Sequence, residues 1–153
     1  MNKILIVRIA EGLGNQLFMY ANAYSLSKKF GYNLYIDDES GFSKNKRSRS
    51  YNLNFFNIPE QVCPEQLKFN NYIKNFKRKS LKFIDNFISN KKFIIEKIDK
   101  NKQTKFEEIS KLESIQMFVE GHYESELYFK LYETALKKNI KIKYDLIDNN
   151  NPY

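Results

Sequence analysis

The chain has 153 residues, of which 42% are hydrophobic, and it carries a formal net charge of +8. This length and apolar content suffice for one domain with a hydrophobic core. No stretch approaches the roughly 20 apolar residues of a membrane-spanning helix, the short apolar run before Arg8 predicts no secretory leader, and the single cysteine, Cys63, excludes an internal disulfide. We expect Cys63 to be a core thiol in a reducing compartment.

Lysine supplies most of the positive charge, since the sequence contains 22 Lys, 4 Arg and 18 Asn. A composition rich in Lys, Asn, Ile, Phe and Tyr is also typical of an AT-rich genome. Sites that grip phosphates or bases in a defined geometry favour arginine, and the arginines do not form a dense cluster in the sequence: Arg8, Arg47, Arg49 and Arg78. We therefore expect no nucleic-acid partner, whereas attraction to an anionic membrane surface stays open.

The first predicted unit is βαβ. The apolar run 4–9 predicts a buried strand, and Gly12-Leu13-Gly14 predicts a sharp loop. Asn15 is predicted to cap a helix over 16–30, which ends at Gly31, and a second strand is predicted to follow over 32–37. A glycine loop that precedes a helix N-terminus suits a phosphate, because free N–H groups and the helix dipole both point at it.

The glycine loop matches neither common phosphate motif. The dinucleotide fingerprint needs a third glycine at position 17, where this chain has Leu17, and no Gly-Lys-Ser/Thr follows as in a P-loop. Pattern alone therefore leaves a structural turn and a ligand-binding loop both open.

An acidic turn follows the second strand at 37–41. Asp37 lies where a Rossmann domain has a ribose-binding acid, but we favour a solvated strand-end turn. The acids also suggest a metal, but the literal Asp-x-Asp is missing, so no metal site is predicted. Residues 43–50 are predicted to be an exposed basic loop, after which 51–58 returns to the core.

Residues 60–90 are predicted to be helical, in one or two pieces. Between 68 and 92 the sequence has eight Lys or Arg and one acid, Asp85. We expect the apolar face of this helix to pack on the core, while docking on an anionic membrane stays open as the alternative. That face comprises Phe69, Ile73, Phe76, Phe83 and Phe87.

The last third is predicted to contain strands at 91–96 and 115–119, a polar loop at 99–105 and a helix over 126–138. Ser125 is predicted to cap the helix. The inner face of the helix is expected to comprise Leu127, Leu131 and Ala135. His122, the only histidine, is interpreted as structural rather than catalytic. The alternating stretch 140–144 is either a last strand or a tail.

Three passages are similar to the α-1,2-fucosyltransferase family. Val7–Ala21, VRIAEGLGNQLFMYA, resembles the opening motif of that family, with Glu11 where the family usually has glycine. Tyr51–Ile58, YNLNFFNI, and Val119–Phe129, VEGHYESELYF, resemble two later segments and follow in the same order. The resemblance covers the whole chain but only the first half of the family's domain.

The resemblance implies an α/β fold, namely the Rossmann-like, acceptor-side N-terminal domain of a GT-B glycosyltransferase over 1–147, with a loop-like tail at 148–153. The donor-binding C-terminal domain and the family's arginine motif are expected to be absent. The family transfers L-fucose from GDP-β-L-fucose to the 2-hydroxyl of a galactose in a surface glycan, with inversion and without a cofactor or an obligatory metal. The chain is thus expected to be cytoplasmic and weak or inactive alone, and a peripheral position on the cytoplasmic face of the inner membrane stays open.

This reaction needs positive charge or N–H donors at the departing diphosphate, and a base near the attacking hydroxyl. We expect Gly12, Gly14 and Asn15 to bind substrate, with Arg8 as a further candidate, and we assign no catalytic residue. Two other functions fit the residues: a small nucleotide-binding α/β protein, and a basic module that binds membranes or nucleic acid.

Overall fold

The computed structural model describes residues 2–43, 49–101 and 105–143. These residues form one five-stranded sheet in the order β3-β2-β1-β5-β4, and all neighbouring strands are parallel. The strands are β1 Ile4–Arg8, β2 Asn33–Asp37, β3 Gln61–Val62, β4 Phe93–Ile95 and β5 Gln116–Glu120, and the α-helices are α1 Leu13–Phe30, α2 Tyr72–Asp85 and α3 Glu133–Asn139. The α/β class is confirmed, and the parallel sheet is consistent with a Rossmann-like fold.

The predicted βαβ unit is present, but its helix begins earlier than predicted. The helix α1 starts at Leu13, so the N-cap is Gly12 and the prediction of Asn15 as the cap was wrong. Its end was predicted correctly, since Gly31 has φ 70° and donates its N–H to the carbonyl of Ser27. Helix α1 is buried on most of its circumference, because the sheet lies on one side and the segments after 105 cover the other.

The second half departs further from the prediction. The region 60–90 contains the short strand β3, a 3-10 turn over 65–67 and α2, rather than one continuous helical region. The strands at 91–96 and 115–119 are confirmed as β4 and β5. The predicted loops at 43–50 and 99–105 extend over 44–48 and 102–104, which lie outside the described residues.

The predicted helix over 126–138 is two 3-10 turns followed by α3. Ser125 does cap the first turn, because its hydroxyl accepts the N–H of Leu127. The predicted inner face was right for Ala135, which packs against the main core, and wrong for Leu127 and Leu131, which are exposed. The tighter 3-10 turns shift the register, and Leu136 is buried instead. Ile142 forms an isolated antiparallel bridge with Phe56, and the predicted tail at 148–153 lies outside the described residues.

The two faces of the sheet bury separate cores. Alternate strand residues point to opposite faces, so Leu5 and Val7 lie under α1 whereas Ile6 lies on the other face. The second core is small and aromatic; it comprises Ile6, Cys63, Phe69, Phe93 and Phe118. The prediction that Cys63 is a core thiol is confirmed.

Helix α2 faces the second core mainly with its polar side, contrary to the prediction that its apolar face packs inward. Of that predicted face only Phe69, which precedes α2, is buried in this core, and Leu81 of α2 packs at its border. Arg78 and Lys82 ion-pair with the buried Glu120. The carboxylate of Asp85 accepts the main-chain N–H groups of Lys92 and Phe93 at 2.7 and 2.9 Å. These contacts set the rotation of α2 and turn its aromatic residues outward. In the described ranges, no helix has both the length and the apolarity needed to span a bilayer.

Gly41 lets the turn after β2 pass directly over the end of β1. A Cβ here would overlap the carbonyl oxygen of Ile9 and lie 2.7 Å from the Cβ of Ala10. We predict that Gly41→Ala lowers the free energy of unfolding by about 3 kcal/mol, measured by urea denaturation. The control is Gly14→Ala, where the added Cβ meets nothing within 4 Å and stability should not fall. Equal stability of both variants would contradict the prediction.

Cys63 should be almost unreactive in the folded chain. Burial raises the pKa of its thiol from 9.0 to about 12, so very little thiolate forms at pH 8. We expect iodoacetamide to label the native chain at least about 100-fold more slowly than the urea-unfolded chain at this pH. Rapid labelling of native chain by mass spectrometry would show that the thiol is accessible.

Candidate functional site

The carboxyl ends of three neighbouring strands bring charged side chains to one edge of the sheet. Strand β1 ends at Arg8, β2 at Asp37 and β5 at Glu120. Open parallel sheets bind ligands outside these ends, at the point where the strand order reverses. That point lies beside β1, because β2 and β3 lie on one side of it and β4 and β5 on the other.

The first turn of α1 begins at this edge and has free donors. Gly12 is extended, with φ −76° and ψ 167°, and its carbonyl accepts the N–H of Gln16 at 3.0 Å. The N–H groups of Leu13, Gly14 and Asn15 therefore have no helical acceptor, and no hydrogen bond among the described residues uses them. Because the helix dipole is positive here, the turn suits an anionic group.

Asn15 lies in this first turn rather than before it. Its side chain is partly exposed and forms no hydrogen bond among residues 2–43, 49–101 and 105–143. The structure thus places the N–H groups of Gly14 and Asn15 together, with the Asn15 amide available to a ligand. Gly12 is the N-cap residue, and its contribution to this turn is its extended backbone.

Gln16 ties the glycine loop to the segment near residue 51. It is fully buried, and its amide nitrogen donates to the carbonyl oxygens of Glu11 and Ser50 at 2.9 and 2.8 Å. Its amide oxygen accepts the N–H of Asn52 at 2.9 Å. One side chain therefore closes three backbone hydrogen bonds and fixes where the first turn of α1 lies.

Glu11 and Arg49 form an ion pair beside Gly12. Glu11 has φ 64°, a left-handed conformation that favours glycine. The Arg49 guanidinium lies 4.0 Å from where a Cβ on Gly12 would be. A positive group thus lies next to the free N–H donors, and the carboxylate of Glu11 partly offsets its charge.

Arg8 is a largely buried cation at the end of β1. Its Nη2 donates to the carbonyl of Ser40 at 2.9 Å, whereas its Nε is buried and has no partner in the described part of the chain. Burial lowers the pKa of its guanidinium, and the nearby Arg78 lowers it further, while Glu120 opposes this. Arginine still stays protonated at neutral pH. Arg8 therefore supplies positive charge in a poorly solvated place.

Glu120 is the buried carboxylate that joins α2 to the sheet. Arg78 contacts it with both Nε and Nη2, at 2.5 and 2.7 Å, and Lys82 contacts it at 2.8 Å. Burial alone would raise the pKa of Glu120, but the two cations outweigh burial and hold the pKa below its usual value. Arg78 also donates to the side-chain oxygen of Asn75 at 3.1 Å.

Arg8, Arg49 and Arg78 thus gather around the carboxyl edge, although they are scattered in the sequence. Arg8 is close enough to both Arg78 and Glu11 for their charges to affect its pKa, and Glu11 is paired with Arg49. Arg47 lies outside the described residues. Sequence spacing carries no signal for this convergence, because it depends on the strand order.

The carboxylates of the acidic turn after β2 have partners within the protein. Asp37 is buried rather than solvated, and its carboxylate accepts the N–H groups of Glu39 and Ser40 at 3.2 and 2.9 Å. The Lys68 ammonium pairs with Asp38 and Glu39 at 2.7 and 2.5 Å. Burial would lower the pKa of Lys68, but these carboxylates raise it. In the described ranges, no group of three or more His, Cys, Asp and Glu side chains could hold a metal ion.

The loop after β5 follows the carboxyl end of that strand and is held by Glu96. Gly121 has φ 147° and Tyr123 has φ 55°, and the Glu96 carboxylate accepts the N–H groups of His122 and Tyr123 at 2.6 and 2.9 Å. The Tyr123 ring is buried, with its hydroxyl 3.1 Å from the carbonyl oxygen of Ile94. The His122 side chain is exposed and lies 3.8 Å from Glu124. The contact that His122 makes with Glu96 therefore uses its main-chain N–H and not its imidazole.

Two clefts flank the start of α1. A cleft of about 400 Å³ lies beside Arg49, and its lining includes Tyr51 and Asn70. A largely apolar groove of about 460 Å³ lies beside Gly14, between α1 and α3. The groove is lined by Gly14, Leu17, Phe18, Ala21, Phe129, Glu133, Leu136, Lys137 and Ile140.

Sequence reasoning missed four residues of this site. Gln16, Arg49 and Arg78 carry no local signal, because their partners lie 34 to 42 residues away. Glu120 could have been found, since a charged residue ends an apolar strand directly before Gly121.

No family model matches this chain, and neither a curated protein nor a solved structure matches it.

We predict that Glu120→Gln lowers the free energy of unfolding by about 3 kcal/mol, because Arg78 and Lys82 lose their buried counter-charge. The pKa of Glu120 lies below its ordinary value of 4.5 in the folded chain. The contribution is therefore complete above about pH 4.5 and is lost as the pH falls through the lower, folded-state pKa. Urea unfolding at several pH values should show a shallower acid loss in the variant.

The matched control is Glu133→Gln, which removes an exposed i,i+4 ion pair with Lys137. Its stability should change little at neutral pH. If Glu120→Gln and Glu133→Gln behaved alike, the buried ion cluster would not stabilise the fold.

Proposed function

We propose that the chain is the N-terminal, acceptor-side domain of a GT-B α-1,2-fucosyltransferase, which transfers L-fucose from GDP-β-L-fucose to the 2-hydroxyl of a galactose in a surface glycan, with inversion. The main support is spatial. The three passages that resemble this family are far apart in the sequence but meet around the start of α1.

Specific contacts join these passages. Gln16, in the first passage, accepts the N–H of Asn52 in the second at 2.9 Å. The ring centroids of Phe18 and Phe129, in the first and third passages, are 6.0 Å apart. Val7 is paired with Val119 in the parallel register of β1 and β5. The three passages are thus neighbours in the fold, around the end of β1 and the first half of α1, although they are far apart in the sequence.

The one departure from the opening motif also supports the proposal. The family usually has glycine where this chain has Glu11, and the backbone there adopts φ 64°. Glycine enters this region at little cost, whereas a residue with a Cβ is uncommon there. A glycine in the motif thus has a physical reason in this loop, and Glu11 keeps the loop shape while adding the ion pair with Arg49.

In this proposal the side-chain amide of Asn15 and the free main-chain N–H groups of Gly14 and Asn15 act on the charge that develops as the diphosphate leaves. A fixed donor in a partly dehydrated site stabilises such charge without reorganising. Arg8 adds a buried positive charge at the end of β1, beside the same loop. The apolar groove next to Gly14 is large enough for one sugar unit of the acceptor.

In this proposal the GDP moiety is held by a second, donor-binding domain, and the reaction uses no cofactor and no obligatory metal. We therefore expect little transfer or hydrolysis of GDP-fucose by this chain alone. We also propose, from the resemblance, that the enzyme acts in the cytoplasm, at the inner face of the inner membrane.

A small nucleotide-binding protein is the alternative, and the free donors of α1 favour it equally. Against a dinucleotide, the Asp37 carboxylate is already used by the N–H groups of Glu39 and Ser40. A nucleic-acid module is less favoured, because Arg49 and Arg78 are paired with carboxylates.

The decisive experiment joins the chain to the donor domain of an active bacterial α-1,2-fucosyltransferase. We expect the chimera to form fucosyl-lactose from GDP-fucose and lactose, and the chain alone to form almost none. Asn15→Ala should lower kcat of the chimera about 100-fold, as for the loss of one preorganised donor. The control is Asn33→Ala, at the exposed amino end of β2, which should leave kcat unchanged.

Full turnover with Asn15→Ala would refute the role of this residue. An inactive chimera, together with a rise in Tm of the chain alone on adding GDP or NAD, would favour the nucleotide-binding alternative.

A further inference from the structure

An apolar ridge runs along the outer side of α2 and the turn that follows it. We define the ridge as Ile73, Phe76, Phe83, Ile84 and Phe87, whose exposed fractions are 78, 67, 66, 49 and 75%. The positions follow helical spacing, with Ser80 between the two halves. The rings of Phe83 and Phe87 touch edge to face, with centroids 5.1 Å apart. A contiguous exposed patch of this kind marks a surface that contacts another partner.

The ridge cannot turn inward without loss of the contacts on the opposite side of α2. That side holds Arg78 and Lys82 against Glu120. It also holds Asp85 against the main chain at the start of β4. Because the carboxylates of Glu120 and Asp85 are buried, rotation of the helix would leave buried charge without partners. The outward ridge is therefore a built feature of the fold.

Cations border the ridge on both sides. At about 100° per residue, Lys77 and Lys79 lie on opposite sides of the line through Phe76 and Phe83. Neither lysine takes part in an ion pair among the described residues, whereas Lys74 pairs with Glu65. From 66 to 95 the sequence has a single acid, Asp85, and it is buried. The ridge is thus apolar with two cationic borders, and the segment 66–95 that forms it has no exposed carboxylate.

The apolar ridge with lysines at its borders favours a lipid surface as the partner. An apolar stripe with lysines at its borders is what an interfacial helix presents to lipid, with the stripe among the acyl chains and the lysines at the headgroups. Each basic residue near an anionic leaflet adds to the attraction. A second copy of the chain fits less well, because two such faces would bring lysines together without carboxylates between them.

We propose that the ridge docks the chain on the surface of a bilayer that contains anionic lipids, with α2 parallel to the membrane plane. The opposite side of α2 contacts Glu120 at the carboxyl edge of the sheet. Docking therefore holds that edge about one helix diameter, roughly 10 Å, from the lipid surface. This inference rests on α2 alone and does not depend on the proposed transferase activity.

Vesicle sedimentation of the full chain tests the proposal. We expect binding to vesicles of phosphatidylcholine with about 30% phosphatidylglycerol, and much weaker binding to phosphatidylcholine alone. The triple variant Phe76→Ser, Phe83→Ser, Phe87→Ser should lower the partition coefficient at least about tenfold. The double variant Lys77→Gln, Lys79→Gln should lower it by about fivefold per lysine, and binding should fall as salt rises.

Each control variant removes as many exposed apolar residues or as many lysines as the ridge variant that it is compared with. Ile98→Ser, Leu127→Ser, Leu131→Ser removes three exposed apolar residues outside the ridge. Lys138→Gln, Lys141→Gln removes two exposed lysines from the other side of α1. Both controls should bind vesicles as the parent chain does. All ridge changes replace exposed side chains, so circular dichroism should show an unchanged fold.

A single tryptophan gives an independent readout, because the chain contains none. On anionic vesicles the emission of the Phe83→Trp variant should shift to the blue and be quenched by brominated lipid, whereas that of the Leu131→Trp variant should do neither. The proposal is overturned if the parent chain does not bind anionic vesicles, if the ridge variant binds as its control does, or if the indole of the Phe83→Trp variant stays in water. A dimer that the ridge variant abolishes, without vesicle binding, would assign the ridge to a second copy instead.

Discussion

A carboxylate buried at the end of β5 sets the orientation of α2 on the sheet. Glu120 is too poorly solvated to stay ionised alone, so two cations of α2 must face it. That demand turns the polar side of α2 toward the sheet, whereas helices on parallel sheets usually bury their apolar side. The outward ridge is a direct consequence of this one ion cluster.

The same cluster shapes the carboxyl edge. Arg78 neutralises Glu120 and repels Arg8, so a residue of α2 helps to lower the pKa of the guanidinium at the end of β1. Beside it, the buried Gln16 amide holds the glycine loop against the segment near residue 51. The free donors of α1 are therefore held by neutral hydrogen bonds of Gln16, while the ion cluster of Glu120 sets the charges beside them.

Local pattern predicted much of the fold correctly. The runs at 4–9, 32–37, 91–96 and 115–119 became strands because β-branched and aromatic residues favour buried pleated surfaces. Gly31 ended α1 because only glycine takes its φ of 70° at little cost. The prediction failed at Asn15, because a good capping residue is also tolerated inside a first turn when glycine precedes it. It failed again in the last third, where 3-10 turns broke the period of 3.6.

The sequence by itself determined the α/β class and the place of the glycine loop before α1, since these depend on neighbours within a few positions. Residue type alone predicted the burial of Cys63, because a free thiol behaves as a small apolar group. Only the tertiary structure decided which side of α2 faces the sheet and which arginines meet at the edge. The reason is the range of the forces involved. An argument from periodicity assumes that apolar side chains point inward. Here the pairing of Arg78 with Glu120, 42 residues apart, fixes the opposite side of α2 on the sheet, so Phe76, Phe83 and Phe87 stay exposed.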